Sequence, residues 1–212
     1  MKQEARSERS RGQILDAALK LFSSRGYRAT NIRHVAQAAG VSVGSVYHQF
    51  ADKEAIFKAL LDDYFRLVGD SEFPLQRAFA AGAFPDDLAA LGHAAREVVE
   101  QYRPYVALVY VDVVEFEGQH IRKFYAEAGQ RCDKFLQSEA ARDIPSKLRH
   151  GVAPRTAIML TTRFLYQYFV LEILFGVPNY FGQDTDVALR AIADILAYGM
   201  LARQSPGDAP PA

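Results

Sequence analysis

The sequence predicts an all-α chain with a small helical head followed by a larger helical body, and three observations support this fold class. Apolar residues recur at spacings of three and four along most of the 212 residues, of which 50% are hydrophobic. No stretch shows the alternation of apolar and polar residues, bounded by turn signals, that is typical of β-hairpins. Glycines and helix-capping residues separate the apolar stretches, as expected at helix ends. This length allows one large domain or two unequal ones.

The first predicted helix opens at Ser10, which forms a capping-box pattern with Gln13. Gly26 can adopt the left-handed conformation that ends a helix. The apolar stripe between these two points comprises Ile14, Ala17, Ala18, Leu21 and Phe22.

Two short helices joined by a tight turn are predicted next. Thr30 is expected to cap the first of them and Gly40 to end it. Ser42 is expected to cap the second. The apolar positions of the pair are Ile32, Val35, Ala36, Ala39, Val43, Val46 and Phe50. Helices joined by so few residues cross steeply, which is the helix-turn-helix arrangement. This pattern predicts a DNA-binding head.

The remaining helices follow the same kind of evidence. Asp52 is expected to cap a fourth helix that reaches Gly69. Pro74 and Pro85 predict a break that contains a short helix. Further helices are predicted at residues 86–102, 104–116, 119–141, 155–175 and 185–203. The polar, proline-rich residues 204–212 predict a disordered tail.

The stretch from Ala36 to Glu54 reads A-x-x-A-G-V-S-x-G-S-V-Y-x-x-F-x-x-K-E. It resembles the signature of the TetR (tetracycline-repressor-like) family of bacterial transcription regulators, and the resemblance covers roughly residues 8–65. The departures are Asn31 where a second threonine is common, Val46 for leucine, and Ala55-Ile56 for a bulkier pair. None of them removes a group that DNA contact would need.

The resemblance implies a ligand-responsive homodimer, most often a repressor, that binds double-stranded, palindromic operator DNA. It implies a helix-turn-helix domain at residues 8–68 and an effector-binding and dimerisation domain at residues 69–203. The last two long helices are expected to form the dimer interface. A dimer would engage two half-sites about one helical turn apart.

Nine head residues are the candidates for DNA contact: Thr30, Arg33, Ser42, Val43, Gly44, Ser45, Tyr47, His48 and Lys53. The resemblance implies phosphate contacts by Tyr47 and Lys53, and also by His48 and Thr30. Arg33 can bind guanine through two hydrogen bonds, and a solvated or phosphate-binding Arg33 is an equal alternative.

The charge distribution supports this interpretation of the head. Residues 1–60 hold ten basic and five acidic side chains, a net charge of +5, and the remaining 15 basic and 20 acidic residues give −5. Arg6, Arg9 and Arg11 form a basic arm that either contacts the DNA backbone or minor groove or is a disordered tail.

The body is rich in aromatic residues, which usually fill a core but also line effector pockets. The polar-tipped candidates for binding a mainly apolar effector are Tyr102, Tyr110, Arg163, Tyr166 and Gln167. Residues 157–177 are long and apolar, but three polar groups near their middle favour a buried helix over a membrane span.

Other chemistry is disfavoured by the sequence. The G-x-S-x-G at residues 40–44 follows a helix instead of a strand, so Ser42 is interpreted as a cap and not a nucleophile. No cofactor is expected, because glycine-rich nucleotide-binding patterns are absent. The cluster Asp112, Glu115, Glu117 and His120 lacks a metal-binding framework, so no metal is expected.

The prediction is therefore a transcription regulator without enzymatic activity. The alternative is a small-molecule enzyme or carrier built on the helical body, with a vestigial head. The single cysteine, Cys132, and the polar N-terminus favour a cytoplasmic location.

Overall fold

The computed structural model describes residues 2–200, and every regular element in that range is a helix. The all-α prediction is confirmed. The helices are α1 (Lys2–Arg25), α2 (Ile32–Ala39), α3 (Val43–Gln49), α4 (Lys53–Val68), α5 (Pro74–Ala80), α6 (Ala83–Asp86), α7 (Leu88–Gln101), α8 (Arg103–Phe116), α9 (Ile121–Leu136), α10 (Ile144–Lys147), α11 (Pro154–Phe169) and α12 (Thr185–Met200). A 3₁₀ turn, Glu139–Ala141, follows α9, and a π-helical segment, Val170–Leu174, continues α11.

These helices form two compact units. The head unit contains residues 2–69 and 102–124, and the body unit contains residues 70–101 and 125–200. The grouping differs from the domain boundary expected from the sequence, because α8 and the start of α9 pack with the head. The predicted tail at residues 204–212 lies outside the described residues.

The core of the head unit is continuous from α1 to α9. Ile14 and Phe22 on α1, Val35 on α2 and Val46 on α3 are all fully buried. Leu108 of α8 belongs to the same apolar cluster. These positions match the apolar spacings of the sequence, so the head helices are held mainly by burial of those stripes.

Helix ends in the head follow the predicted chemistry at three points. Gly40 ends α2 in the left-handed conformation with a φ of 67°. The backbone N–H of Ser45 donates to Oγ of Ser42 at 3.0 Å, which caps α3. The backbone N–H of Ala55 donates to Oδ1 of Asp52 at 2.7 Å, which caps α4.

Two predictions about helix starts were wrong. Helix α1 begins at Lys2, so Ser10 and its capping-box pattern lie inside the helix. Residues 2–9 are mostly good helix formers, and they extend α1 past the apparent cap. The cap of α2 is Asn31 instead of Thr30: Oδ1 of Asn31 accepts from the backbone N–H of His34 at 2.9 Å.

The body unit is organised around α7, against which α5, α11 and α12 pack. Gly92 of α7 permits a close approach of α12, since a Cβ at this position would lie 2.2 Å from Cδ1 of Leu189.

Within the residues that the structure describes, Pro154–Leu174 is the one helical stretch long and apolar enough to cross a membrane by length and composition alone. Its buried residues are Ala157, Ile158, Thr161, Leu165, Tyr168, Phe169 and Val170. A helix that packs on α7 in this way serves as a core helix of the unit.

Candidate nucleic-acid interface

Helix α3 divides its side chains between the core and the solvent. Val46 is fully buried, and Phe50, which follows the helix, is also buried. The positions on the other side are exposed, namely Val43, Gly44, Tyr47 and His48, with Ser42 exposed just before the helix and Ser45 half-buried. This exposed face, which carries several of the predicted DNA-contact residues, is therefore available to a partner.

An open groove lies beside this face. It has a volume of about 500 Å³ and is lined by Asn31, Ile32, Arg33, Val43, Tyr47 and Lys53. The groove brings together the first turns of α2 and α4 with the exposed side of α3. Helix N-termini present unpaired backbone N–H groups and positive partial charge, which suits them to phosphate.

Four of the predicted DNA-contact residues line this groove: Arg33, Val43, Tyr47 and Lys53. Asn31 and Ile32 were not predicted as site residues. The sequence did contain a signal for Asn31, because asparagine is a preferred helix cap and caps stand at helix N-termini. That signal was assigned to the neighbouring Thr30 instead.

Lys53 has a structural role in addition to its place in the groove. Its Nζ donates to the backbone carbonyls of Tyr27 and Thr30, each at 2.9 Å, and lies 3.9 Å from the centre of the Tyr27 ring. Burial lowers the pKa of Lys53, and the nearby Glu115 opposes that shift. An ammonium group has three donors, so two carbonyls leave one for another acceptor.

Thr30 does not fit the predicted side-chain contact with DNA. Its side chain is completely buried, and its hydroxyl donates to the backbone carbonyl of Gly26 at 3.0 Å. The prediction placed Thr30 at the exposed start of α2, but the exposed cap is the next residue, Asn31. In this conformation the side chain of Thr30 closes the turn after α1 and lies out of reach of a phosphate.

The corner between α8 and α9 supports the groove from the core side. Phe116 stacks on Phe57 with ring centres 4.9 Å apart and packs edge-on against Tyr27 at 4.7 Å. Burial raises the pKa of the Tyr27 hydroxyl to about 12, and nearby carboxylates, chiefly that of Glu54, add to the shift. The aromatic contacts therefore hold the same turn that Lys53 binds.

The acidic cluster of the sequence lies at this corner and is structural. Asp112 is 0% exposed, and its carboxylate accepts from Nδ1 of His120 at 2.6 Å and from the backbone N–H of Ile121 at 3.1 Å. Nε2 of His120 faces Oε1 of Glu54 at 3.4 Å. Glu115 pairs with Arg28 at 2.6 Å. Among the described residues, the chain forms no group of three potential ligands that could hold a metal ion.

The five candidates for effector binding fall in different units. Tyr102 and Tyr110 belong to the head unit, where the Tyr102 ring lies 6.2 Å from that of Tyr64. The other three, Arg163, Tyr166 and Gln167, lie on α11 in the body unit. The guanidinium of Arg163 donates to the hydroxyl of Tyr125 at 3.2 Å.

Comparison with known proteins places the groove in a known domain. Residues 14–60 match the family model described as bacterial regulatory proteins, tetR family. The transcriptional repressor KstR2 of Mycobacterium tuberculosis (strain ATCC 25618 / H37Rv) is 36% identical over 97 residues, which is 42% of this chain and 48% of that protein. KstR2 of Rhodococcus jostii (strain RHA1) is 48% identical over 59 residues, 26% and 29% of the two chains. The matches therefore span at most about half the length of these relatives.

Solved structures extend the likeness to most of the chain. NalD of Pseudomonas aeruginosa, the secondary repressor of the MexAB-OprM multidrug efflux pump, has a TM-score of 0.61 at 19% identity and covers 93% of this chain and 100% of its own. A tetR-family regulator from Mesorhizobium loti has a TM-score of 0.65 at 19% identity, with 93% and 99% covered. At these identities the likeness concerns the fold.

Proposed function

The chain carries the DNA-binding domain of the tetR family of bacterial regulators, and from this premise we propose that it is a homodimeric transcriptional repressor. It binds operator DNA through α3 and the adjacent groove, and it releases the DNA when a mainly apolar small molecule binds its body. The observation that carries this proposal is the exposed face of α3 next to a groove that Lys53, Arg33 and Tyr47 line.

The geometry suits the two tasks of a DNA-binding protein, which are to hold the backbone and to read the bases. Helix α3 can enter the major groove, which admits one helix, and it presents Val43, Gly44 and Ser45 to base edges. Tyr47 and Lys53 stand in the groove beside it, where the backbone would pass. The excess of basic residues in the head supplies the long-range attraction to DNA.

Replacing Tyr47 with phenylalanine tests the backbone contact, because it removes only a hydroxyl. Hydrogen bonds to charged groups contribute about 1.5–3 kcal/mol, so operator affinity should fall at least about tenfold. Fluorescence anisotropy with the DNA upstream of the chain's own gene measures this loss. Tyr180 in the body unit is a matched control, since it is 52% exposed and Tyr47 is 56% exposed. Equal operator affinities of the Tyr47→Phe and Tyr180→Phe variants would show that the Tyr47 hydroxyl does not contact the DNA.

The dimer interface that we propose is an exposed apolar surface on α11 and α12. Its members recur at helical spacing on each helix, and they are Met159, Leu160, Phe164, Val187, Ile195 and Tyr198. Large apolar side chains exposed along two helices are typical of a contact with another protein. A second copy of this chain fits best, because the same face on both copies gives a closed two-fold contact and pairs the two heads that a palindrome requires.

A mainly apolar molecule is the effector that we propose. The residues assigned to its binding are those that share α11, namely Arg163, Tyr166 and Gln167. A solved structure of KstR2 describes that relative as a ketosteroid transcriptional regulator, and ketosteroids are largely apolar. An effector that favours the DNA-free state must bind more weakly when operator DNA is present, by the same factor. The protein would act in the cytoplasm, where its DNA is.

A further inference from the structure

The first turns of α1 lie outside the apolar core of the head unit. The helix begins at Lys2, but its first buried apolar residue is Ile14. An exposed helical segment of this length is marginal in water without tertiary contacts. Contacts to the C-terminal end of α3 help to hold it.

The side chain of Gln49 is one of these contacts, since its Nε2 donates to Oγ of Ser7 at 2.6 Å. Arg11 makes the other, with its guanidinium 4.5 Å from the centre of the Phe50 ring. Ser7, Arg11 and Ile14 follow one another at spacings of four and three, so they share the face of α1 that is turned toward α3. The start of α1 is thereby fixed beside α3.

The two flanks of that contact face differ in charge. At 100° per residue, Arg6, Ser10 and Gln13 lie on one flank and form a stripe of hydrogen-bond donors. Glu8 lies on the opposite flank. Arg9 points away from α3, because it is two residues from Ser7. Arg6 and Gln13 are exposed.

We propose that Arg6, Ser10 and Gln13 form a second backbone-binding stripe on the DNA. The inference rests on the proposed function and adds a site to it. A helix seated in the major groove fills it, since the groove is about 12 Å wide and a helix is about 10–12 Å across. An element packed directly beside the end of α3 therefore lies over the flanking phosphates. The stripe of donors attracts them, and the flank with Glu8 repels them.

The salt dependence of binding tests this site, because log K falls with log salt by about 0.9 for each phosphate contact. Anisotropy is measured on a random-sequence duplex of about 30 base pairs and on the upstream DNA. Arg6→Gln should make the slope less steep by about 2 for a dimer and weaken binding about tenfold. Gln13→Glu should weaken binding on both duplexes, because it places a carboxylate against the backbone.

Lys20→Gln is the control, since it removes one positive charge from an exposed position of the same helix that points away from α3. Its slope should equal that of the wild type. A slope that changes equally in Arg6→Gln and Lys20→Gln would overturn the proposal, and so would an unchanged slope in Arg6→Gln. Ser7→Ala keeps every charge but loses the contact with Gln49, and weaker binding by this variant would support the anchoring. A wild type that binds neither duplex would contradict the proposed function itself.

Discussion

Replacing Asp112 with alanine is expected to lower the free energy of unfolding by about 3–5 kcal/mol. The Asp112 carboxylate is fully buried and is the acceptor for both Nδ1 of His120 and the backbone N–H of Ile121. The alanine variant leaves both donors unpaired in the core and opens a cavity beside His120. Urea denaturation followed by circular dichroism measures the change.

Asp62 provides the control for this prediction. It is also an aspartate in the head unit and pairs with Lys58 at 2.6 Å, but its side chain is 58% exposed. An exposed pair at this helical spacing contributes about 0.3–0.5 kcal/mol, so Asp62→Ala should change stability by less than about 1 kcal/mol. Equal losses of unfolding free energy in the two variants would show that the buried Asp112–His120 pair does not stabilise the corner between α8 and α9.

Replacing Ile195 with glutamate is expected to convert the dimer to a monomer. Ile195 is 72% exposed in the single chain, so the substitution leaves the packing of the body unit intact. In the proposed interface the glutamate would meet the apolar face of the partner, where an unpaired charge is strongly unfavourable. Two linked half-sites gain about 10²–10⁴ in avidity, so operator affinity should fall by at least about 100-fold.

Sedimentation equilibrium and anisotropy on the upstream DNA measure the two effects of Ile195→Glu, and circular dichroism confirms that the helices are retained. Gln130→Glu adds the same charge at an exposed position on α9 and should remain a dimer with full affinity. A dimeric Ile195→Glu variant would exclude this part of α12 from the interface.

The head could be predicted largely from local sequence signals. Gly40, Ser42 and Asp52 each end or cap a helix as their residue types predict, because capping depends on neighbours within three or four residues. The same local signals are ambiguous where two capping residues are adjacent, as at Thr30 and Asn31, and the structure shows that Asn31 is the cap. The start of α1 was missed, since a pattern typical of a cap also occurs inside a helix.

The parts of the site that depend on distant contacts could not be predicted. Lys53 binds carbonyls 23 and 26 residues earlier, and no local pattern reports that contact. The packing of Phe116 beneath the turn at Tyr27 joins residues far apart in the chain. The cluster at Asp112 and His120 was visible in the sequence, but its role follows only from the burial of the carboxylate. Predicting these features requires knowing that α8 packs with the head.

A footprint of the wild-type protein on the DNA upstream of its own gene tests whether α3 and its groove bind a specific operator. Specific protection is expected over two half-sites whose centres lie about 34–36 Å apart, or a multiple of that distance, in the presence of competitor DNA. Protection should weaken steeply as salt is raised. A folded, dimeric protein that protects no specific sequence at low salt would contradict the assignment of α3 and its groove as a DNA-binding site.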